Sequence, residues 1–451
     1  MIKSMKSASI ILSVVIALSL SACGQRANTS EPKSTEAPQS TTSAQTQAKA
    51  KTSVNMKMLL QSGDETRKAI NDKYIQANLK TVLPDYNVEI ELGGGGDDYN
   101  NKLKTYNAAG ELPDVFFTSG TSVIDPVIVA GNALDLLPYI SKDGYAAKYK
   151  MKAPIEPRQD GKLYAINPGS DNYFTPRIFY HKDIFAKYKI EIPKTFDEFM
   201  VASKVLKANG VVPFTSFGKD GWAVTTYLFQ NIVMSINPQV ITDLINNKTD
   251  FSNPVVIDAF NKIQKMAQEG VFPEGMAMLD YGPAQELFTS KKAAMYGMFT
   301  WALPDMAKDP DVDIMNFPAV TPEVDRSKVL QYWGGPDTGY AVFAKSKNVD
   351  AAVKLAEYAN EQDAKFFSIE QKAPTAYDTG IKLEGASDLM TKSLQNFDAA
   401  DNKIPTLLNY AFGTKMTSEF NVNASKLLTG KFSGEDFAKA IEKTWADNFA
   451  K

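Results

Sequence analysis

The feature that most constrains this chain is a threefold alternation of strand and helix signals between residues 56 and 121. Met56 to Leu60 is a short apolar run suited to a buried strand, and Ala69, Ile70, Tyr74 and Leu79 then recur at helical spacing. Val88 to Leu92 alternates as a strand does, and behind Gly93 to Gly96 the residues Tyr99, Leu103 and Tyr106 share a helix face. Leu112 to Phe117 is the next buried run, ending in Thr118-Ser119-Gly120-Thr121. This pattern predicts an α/β layer with a largely parallel sheet, whose ligands sit beyond the carboxyl ends of the strands. Residues 62–64, 93–99 and 118–121 then lie on one rim.

At 451 residues the chain exceeds what a single core usually supports, so a second domain is expected. Asp160 to Gly210 reads as the passage into it. An apolar run at Leu163 to Ile166 is followed by Asn167-Pro168-Gly169-Ser170, a strand at Arg177 to Tyr180, and a helix opened by Thr195 and Glu198 as a capping box. Further on, Asn253 and Pro254 start a helix that Gly270 ends. Val211 to Phe217, Lys292 to Met298, Asp311 to Phe317 and Tyr340 to Ala344 read as short strands, and the chain from Asp350 onward as mainly helical. No internal repeat is present.

The first residues indicate export. Lys3 and Lys6 precede an apolar run at Ile10 to Leu20, too short to span a membrane, which ends in Leu20-Ser21-Ala22-Cys23. That ending resembles a bacterial lipobox, which implies a signal peptide over 1–22 and lipidation of Cys23. Cys23 is the sole cysteine, so no internal disulfide can form. Residues 24 to 53 are polar and contain Pro32 and Pro38, the composition of a disordered tether. The net charge is −3, which gives the surface no electrostatic reason to hold a nucleic acid.

Enzyme signatures mostly fail. The one histidine, His181, has no G-x-S-x-G partner motif, and one His and one Cys cannot furnish a zinc site. Gly93 to Gly96 lacks the Lys-Ser/Thr of a phosphate loop, so it either admits close backbone approach or flexes. Asp309, Asp311 and Asp313 open like a calcium loop, but Ile314 and Val320 break the pattern, leaving a solvated loop as the better reading. A pair of carboxylates serving glycoside hydrolysis stays open, because that chemistry is set by separation in space. More telling, Trp222, Trp301 and Trp333 all fall in loops or at strand ends next to Gly, Pro or Asp. Flat aromatic faces of this kind stack on the C–H faces of sugar rings while nearby carboxylates and amides take the hydroxyls.

Taken together the chain resembles the extracellular solute-binding proteins of family 1, the maltose-binding-protein-like carbohydrate-binding lipoproteins of bacterial ABC importers. The resemblance spreads over residues 54 to 451. It is carried by Glu111-Leu-Pro-Asp-Val-Phe-Phe, Asp160-Gly-Lys-Leu-Tyr-Ala-Ile-Asn-Pro, Phe179-Tyr-His-Lys-Asp-Ile-Phe, Pro193-Lys-Thr-Phe-Asp-Glu-Phe, Phe288-Thr-Ser-Lys-Lys-Ala-Ala-Met, Gly334-Gly335, Lys345-Ser-Lys-Asn and Leu428-Thr-Gly-Lys-Phe-Ser-Gly-Glu-Asp.

It implies a type II two-lobe periplasmic-binding-protein fold, each lobe a mostly parallel sheet flanked by helices, closing about a multi-crossing hinge. The N-terminal lobe would comprise 54–166 and 312–343, and the C-terminal lobe 175–303 and 346–451, after the leader 1–22 and the lipidated tether 23–53. Ligand residues implied by position are Asp64, Ser119, Thr121, Phe174, Asp220, Trp222 and Trp301, with Tyr410 and Phe412 where the family often places a stacking aromatic. Loop chemistry adds Asp98, Trp333 and Asp337. The implied function is capture of a mono- or oligosaccharide at the outer face of the cell membrane by a lipid-anchored monomer that delivers it to permease subunits, with no cofactor or metal. An extracellular carbohydrate-active enzyme and a sugar-sensing surface protein are the alternatives.

Overall fold

Among the described residues ten strands and the helices between them build two separate sheets and a small ribbon. The computed structural model describes residues 53–449 apart from Gln159, Asp220 and Pro336, and apart from the side chain of Asp97. The leader, Cys23, the tether up to Thr52 and Asp220 lie outside the described residues.

The first sheet has the order β2-β1-β3-β9, with β1 at Val54–Leu60, β2 at Tyr86–Leu92, β3 at Val115–Ser119 and β9 at Thr338–Val342. β1 runs parallel to β2 and β3, and β9 joins antiparallel with Phe117 opposite Tyr340. Helices at 65–82 (with a wider π turn at Ile70–Gln76), Gly96–Ala109 and Thr121–Val129 follow the three parallel strands. This is the alternation read in the sequence.

The second sheet has the order β5-β6-β4-β7, with β4 at Pro176–His181, β5 at Val212–Thr215, β6 at Ala293–Phe299 and β7 at Val312–Met315. Only β5 and β6 pair in parallel; β4 runs antiparallel to both β6 and β7. The second sheet is therefore mixed rather than mostly parallel. β4 is buried along its whole length, which a strand flanked on both sides and covered on both faces must be. The expected capping box closes at Thr195, whose hydroxyl accepts from the Glu198 N–H while Glu198 reaches back. Asn253 likewise caps the helix Pro254–Gln268. Between the sheets β8, Val329–Tyr332, pairs parallel with β10, Asn402–Pro405.

Two lobe boundaries differ from expectation. Residues 312–315, expected in the first lobe, form β7 at the edge of the second sheet; only β9 crosses back. The helix Val349–Ile369, expected in the second lobe, packs on the first: Ala352, Val353, Leu355, Ala356, Ala359, Phe366 and Phe367 share a core with Ile70, Tyr74 and Ile75. Its apolar stripe covers the first sheet next to β9, the strand from which the chain emerges, and Tyr377 still belongs to that core. The chain returns to the second lobe by Leu389 and Met390.

Candidate functional site

Three indoles from three distant segments meet at one partly exposed surface. Trp222 follows Gly221 at the start of a helix, Trp301 lies two residues beyond β6, and Trp333 directly follows β8. Ring centroids lie 5.5 Å apart for Trp222 and Trp333, 5.4 Å for Trp301 and Trp333, and 6.1 Å for Trp222 and Trp301. Phe174, beside the hinge, stands edge-on to Trp301 at 5.7 Å. Beneath them Phe299, fully buried, stacks on Trp301 and supports the group from the core. Two backbone devices hold the loops. The Trp333 N–H donates to the Phe174 carbonyl at 2.7 Å. Gly221 has φ +71°, and a Cβ there would come within 2.6 Å of the Asn421 backbone, so the loop can lie this close only as glycine.

The facing rim comes from the first lobe. Asp64 is exposed and caps the helix behind β1, its carboxylate accepting from the Arg67 N–H at 2.8 Å. The glycine run has a definite structural use here. The Ser62 N–H donates to the Gly94 carbonyl at 2.7 Å, and a Cβ on Gly95 would lie 2.5 Å from the Gly63 Cα, so the loops after β1 and β2 lock together. Asp98 is exposed in the first turn of the helix Gly96–Ala109. Across from this rim Tyr281 starts the helix Tyr281–Thr289. Although the residue as a whole is about one-third exposed, its hydroxyl end lies against the Trp301 indole N–H, and burial there, with lesser contributions from the Asp305 and Asp64 charges, raises its pKa.

Between rim and floor lies a polar cluster that the sequence reading missed. Arg67 pairs with Asp363 at 2.7 Å, and its guanidinium sits 4.4 Å from the centre of the Phe117 ring. The Tyr340 hydroxyl donates to the same Asp363 oxygen at 3.0 Å, and the other oxygen has no protein partner. Asp171, in the turn before Phe174, is pushed up to about 6 by burial, with the Arg67 charge opposing. Its neighbour Asn172 is fully buried, and neither its carbonyl oxygen nor its NH₂ is hydrogen-bonded within the protein. Buried groups of this kind ordinarily have a partner, so these stand out as unmet hydrogen-bonding capacity beside the aromatic surface. Because Asp171-Asn172 follows Pro168-Gly169-Ser170, it reads in the sequence as a turn.

The remaining expected residues divide. Ser119 is half-buried opposite Thr338. Thr121 and Asp337 are buried and engaged with each other: the Thr121 hydroxyl lies 2.7 Å from both Asp337 Oδ2 and the Asn409 carbonyl, and Arg158 bridges Asp337 to Asp125 at 3.0 and 2.8 Å. This network fastens the helix after β3 to the second lobe, which leaves the Thr121 hydroxyl committed within the protein. Asp337 retains one unpartnered oxygen, and burial raises its pKa. Tyr410 is half-buried, its ring edge against Gly335. Phe412 is corrected outright: it is 0% exposed and packs on Phe251, Phe420 and Trp445 in the second core. Its place in the chain suggested a cleft aromatic, but its side chain turns inward.

His181 is buried, with Nε2 2.9 Å from the Phe288 carbonyl and its ring stacked on Phe288 at 4.1 Å. Burial lowers its pKa. In the aspartate loop Lys291 lies within 4 Å of Asp183, Asp309 and Asp311, and Lys392 binds Asp313 at 2.6 Å, so lysines supply the counter-charge. Among the described residues no group of three or more His, Cys, Asp or Glu side chains is placed to hold a metal, and no helix is long and apolar enough to cross a membrane.

Comparison with known proteins agrees with this architecture. A multiple sugar-binding protein of Streptococcus mutans is 26% identical over 304 residues, 63% of this chain and 68% of that one. Other curated relatives align over 35% to 45% of their own length. Among solved structures, one from work on xylan utilisation by Caldanaerobius polysaccharolyticus superposes with a TM-score of 0.75 at 24% identity, covering 87% of this chain and all of that one. A sugar transporter of Bacillus licheniformis in complex with stachyose gives 0.65 at 20% identity, covering 88% of this chain and all of that one. Residues 66–366 match the family described as bacterial extracellular solute-binding protein, and the chain belongs to that family.

Proposed function

We propose that this chain captures a mono- or oligosaccharide between its lobes and delivers it to the membrane subunits of an ABC importer. The observation that carries the reading is the convergence of Trp222, Trp301 and Trp333 with Phe174 on one partly exposed surface beside the buried, unsaturated polar groups of Asn172 and Asp363. A sugar ring has apolar faces and a polar edge, and this surface offers aromatic planes next to amide and carboxylate groups. The family consists of binding proteins, and relatives named for sugars support the ligand class. Asp64 and Asp98 on the rim, with Ser119, Asp220, Asp337 and Tyr410, are proposed as further polar or stacking contacts.

The hinge supplies the mechanism. Phe174 packs against both cores, so its segment feels the position of each lobe. A ligand touched by both lobes stabilises the closed arrangement by its differential affinity for it. No covalent step is required. Lipidation at Cys23 would hold the protein, as a monomer, at the outer face of the membrane, and diacylglyceryl attachment supplies the two chains that stable anchoring needs. Calorimetry against a panel of mono- and oligosaccharides tests the binding. Incubation with the bound sugar distinguishes a binding protein, which returns it intact, from a hydrolase, which releases reducing ends.

A further inference from the structure

Two arginines lie inside the second lobe with no carboxylate partner among the described residues. Arg177, on β4, is 1% exposed, and Arg326, three residues before β8, is 7% exposed. Arg177 places Nη1 on the Pro176 carbonyl at 3.0 Å, and Arg326 places Nη2 on Asn231 Oδ1 at 2.9 Å. The other four guanidinium nitrogens, Nε and Nη2 of Arg177 and Nε and Nη1 of Arg326, have no hydrogen-bond partner among the described residues.

One helical turn links the two sites: the Tyr227 carbonyl accepts from Asn231, whose Oδ1 accepts from Arg326. The Tyr227 hydroxyl donates to the Arg177 carbonyl at 2.8 Å and feels the positive charge of both arginines, and Arg326 in turn feels Arg177. Burial pushes Arg177 down to about 10 and Arg326 down to about 9, and no carboxylate opposes either shift. Guanidinium groups nonetheless keep their protons in proteins. Two like charges are thus held in a low-dielectric interior, an arrangement that folds only if something compensates it.

The protein groups around them do not. Asn231 spends its NH₂ on the Tyr227 carbonyl and Gln331. Asn316 donates to the Arg326 carbonyl at 3.0 Å and leaves one unpartnered acceptor, Oδ1. Four donor nitrogens thus remain unpaired; Asn316 Oδ1 is a neutral acceptor and brings no negative charge, and water would add as many donors as acceptors. The deficit is one of negative charge.

We propose that Arg177 and Arg326 together bind a small inorganic anion of the halide class, chloride in physiological salt, as a structural component of the second lobe. It lies behind the aromatic floor, between β4 and the segment leading into β8, and is separate from the saccharide surface. The burial of both side chains excludes a large organic anion.

Anomalous diffraction from crystals of the protein soaked in sodium bromide locates the ion without any mutation. The expected result is a bromide peak within hydrogen-bond reach of both guanidinium groups; a map with no peak between them overturns the proposal. Thermal unfolding in sodium chloride against sodium gluconate, at equal ionic strength, gives a second readout. Chloride should raise Tm by about 3 °C through binding to the folded state alone, and Arg326→Met should abolish that difference while still unfolding cooperatively. Equal Tm values in the two salts for the unsubstituted protein would also contradict it. Arg177→Met provides the same comparison if the first variant does not fold.

Discussion

The ring of Trp301 stacks on that of Phe299 with centroids 4.7 Å apart and planes 9° from parallel. Phe299 is fully buried at the end of β6, whereas Trp301 keeps part of its surface open to solvent. The core thereby holds one aromatic plane in a fixed orientation, which lowers the entropy lost when a sugar stacks on it. Trp301→Ala is expected to weaken saccharide binding at least tenfold, about 1.4 kcal/mol or more, with cooperative unfolding retained. Calorimetry and thermal unfolding of the same preparation check both parts.

The contact between Gly63 and Gly95 leaves no room for a methyl group. A Cβ on either would stand within 2.5 Å of the other's Cα. Gly95→Ala should cost about 1–3 kcal/mol by forcing the rim loops apart, as overpacking does elsewhere. Because Asp64 follows Gly63, ligand affinity should fall as well. Urea unfolding measures the first effect and ligand titration the second.

Asp171 gives stability an unusual pH dependence. Its folded pKa lies near 6, above the ordinary 3.8, because burial disfavours the charged form. Between these values the folded state binds more protons than the unfolded one, so stability falls as pH rises from about 4 to 6 and then levels off. The contribution is roughly 1–3 kcal/mol from a shift of this size. Urea unfolding at pH 4.5 and 7 should show that slope, and Asp171→Asn should flatten it.

Phe412 and Tyr410 stand two residues apart in different surroundings, the first fully buried and the second half-buried. Phe412→Ala should cost about 3–5 kcal/mol of stability, as large-to-small core changes do, with little effect on affinity in the protein that still folds. Tyr410→Phe should leave stability within about 1 kcal/mol and act on binding instead. Denaturant titration alongside ligand titration separates the pair.

Much of the frame was legible because its signals are local. The Thr195 capping box, the Asn253-Pro254 helix start and the three parallel strands of the first lobe each declare themselves within a few residues. The tryptophans stand out in the sequence as a group because they fall at strand ends or next to Gly, Pro or Asp; the structure brings their three rings together, each packed partly against the second core. The lobe assignment of Val349–Ile369 was not legible: its stripe of Ala352, Val353, Ala356 and Ala359 states that one face is buried without stating against which sheet. Asp171 and Asn172 resemble turn residues until Arg67 and Asp363 are brought beside them from two distant places in the chain. Phe412 is placed by position alone, and its inward direction is set by its extended backbone between the helices Leu407–Ala411 and Thr414–Leu427.

The most direct test of the central claim is calorimetric titration of the folded protein with a broad panel of mono- and oligosaccharides. The account predicts saturable heat with at least one of them and at least tenfold weaker binding when Trp301 is replaced by alanine. Absence of saturable heat across the panel, or undiminished affinity in Trp222→Ala, Trp301→Ala and Trp333→Ala alike, would contradict it.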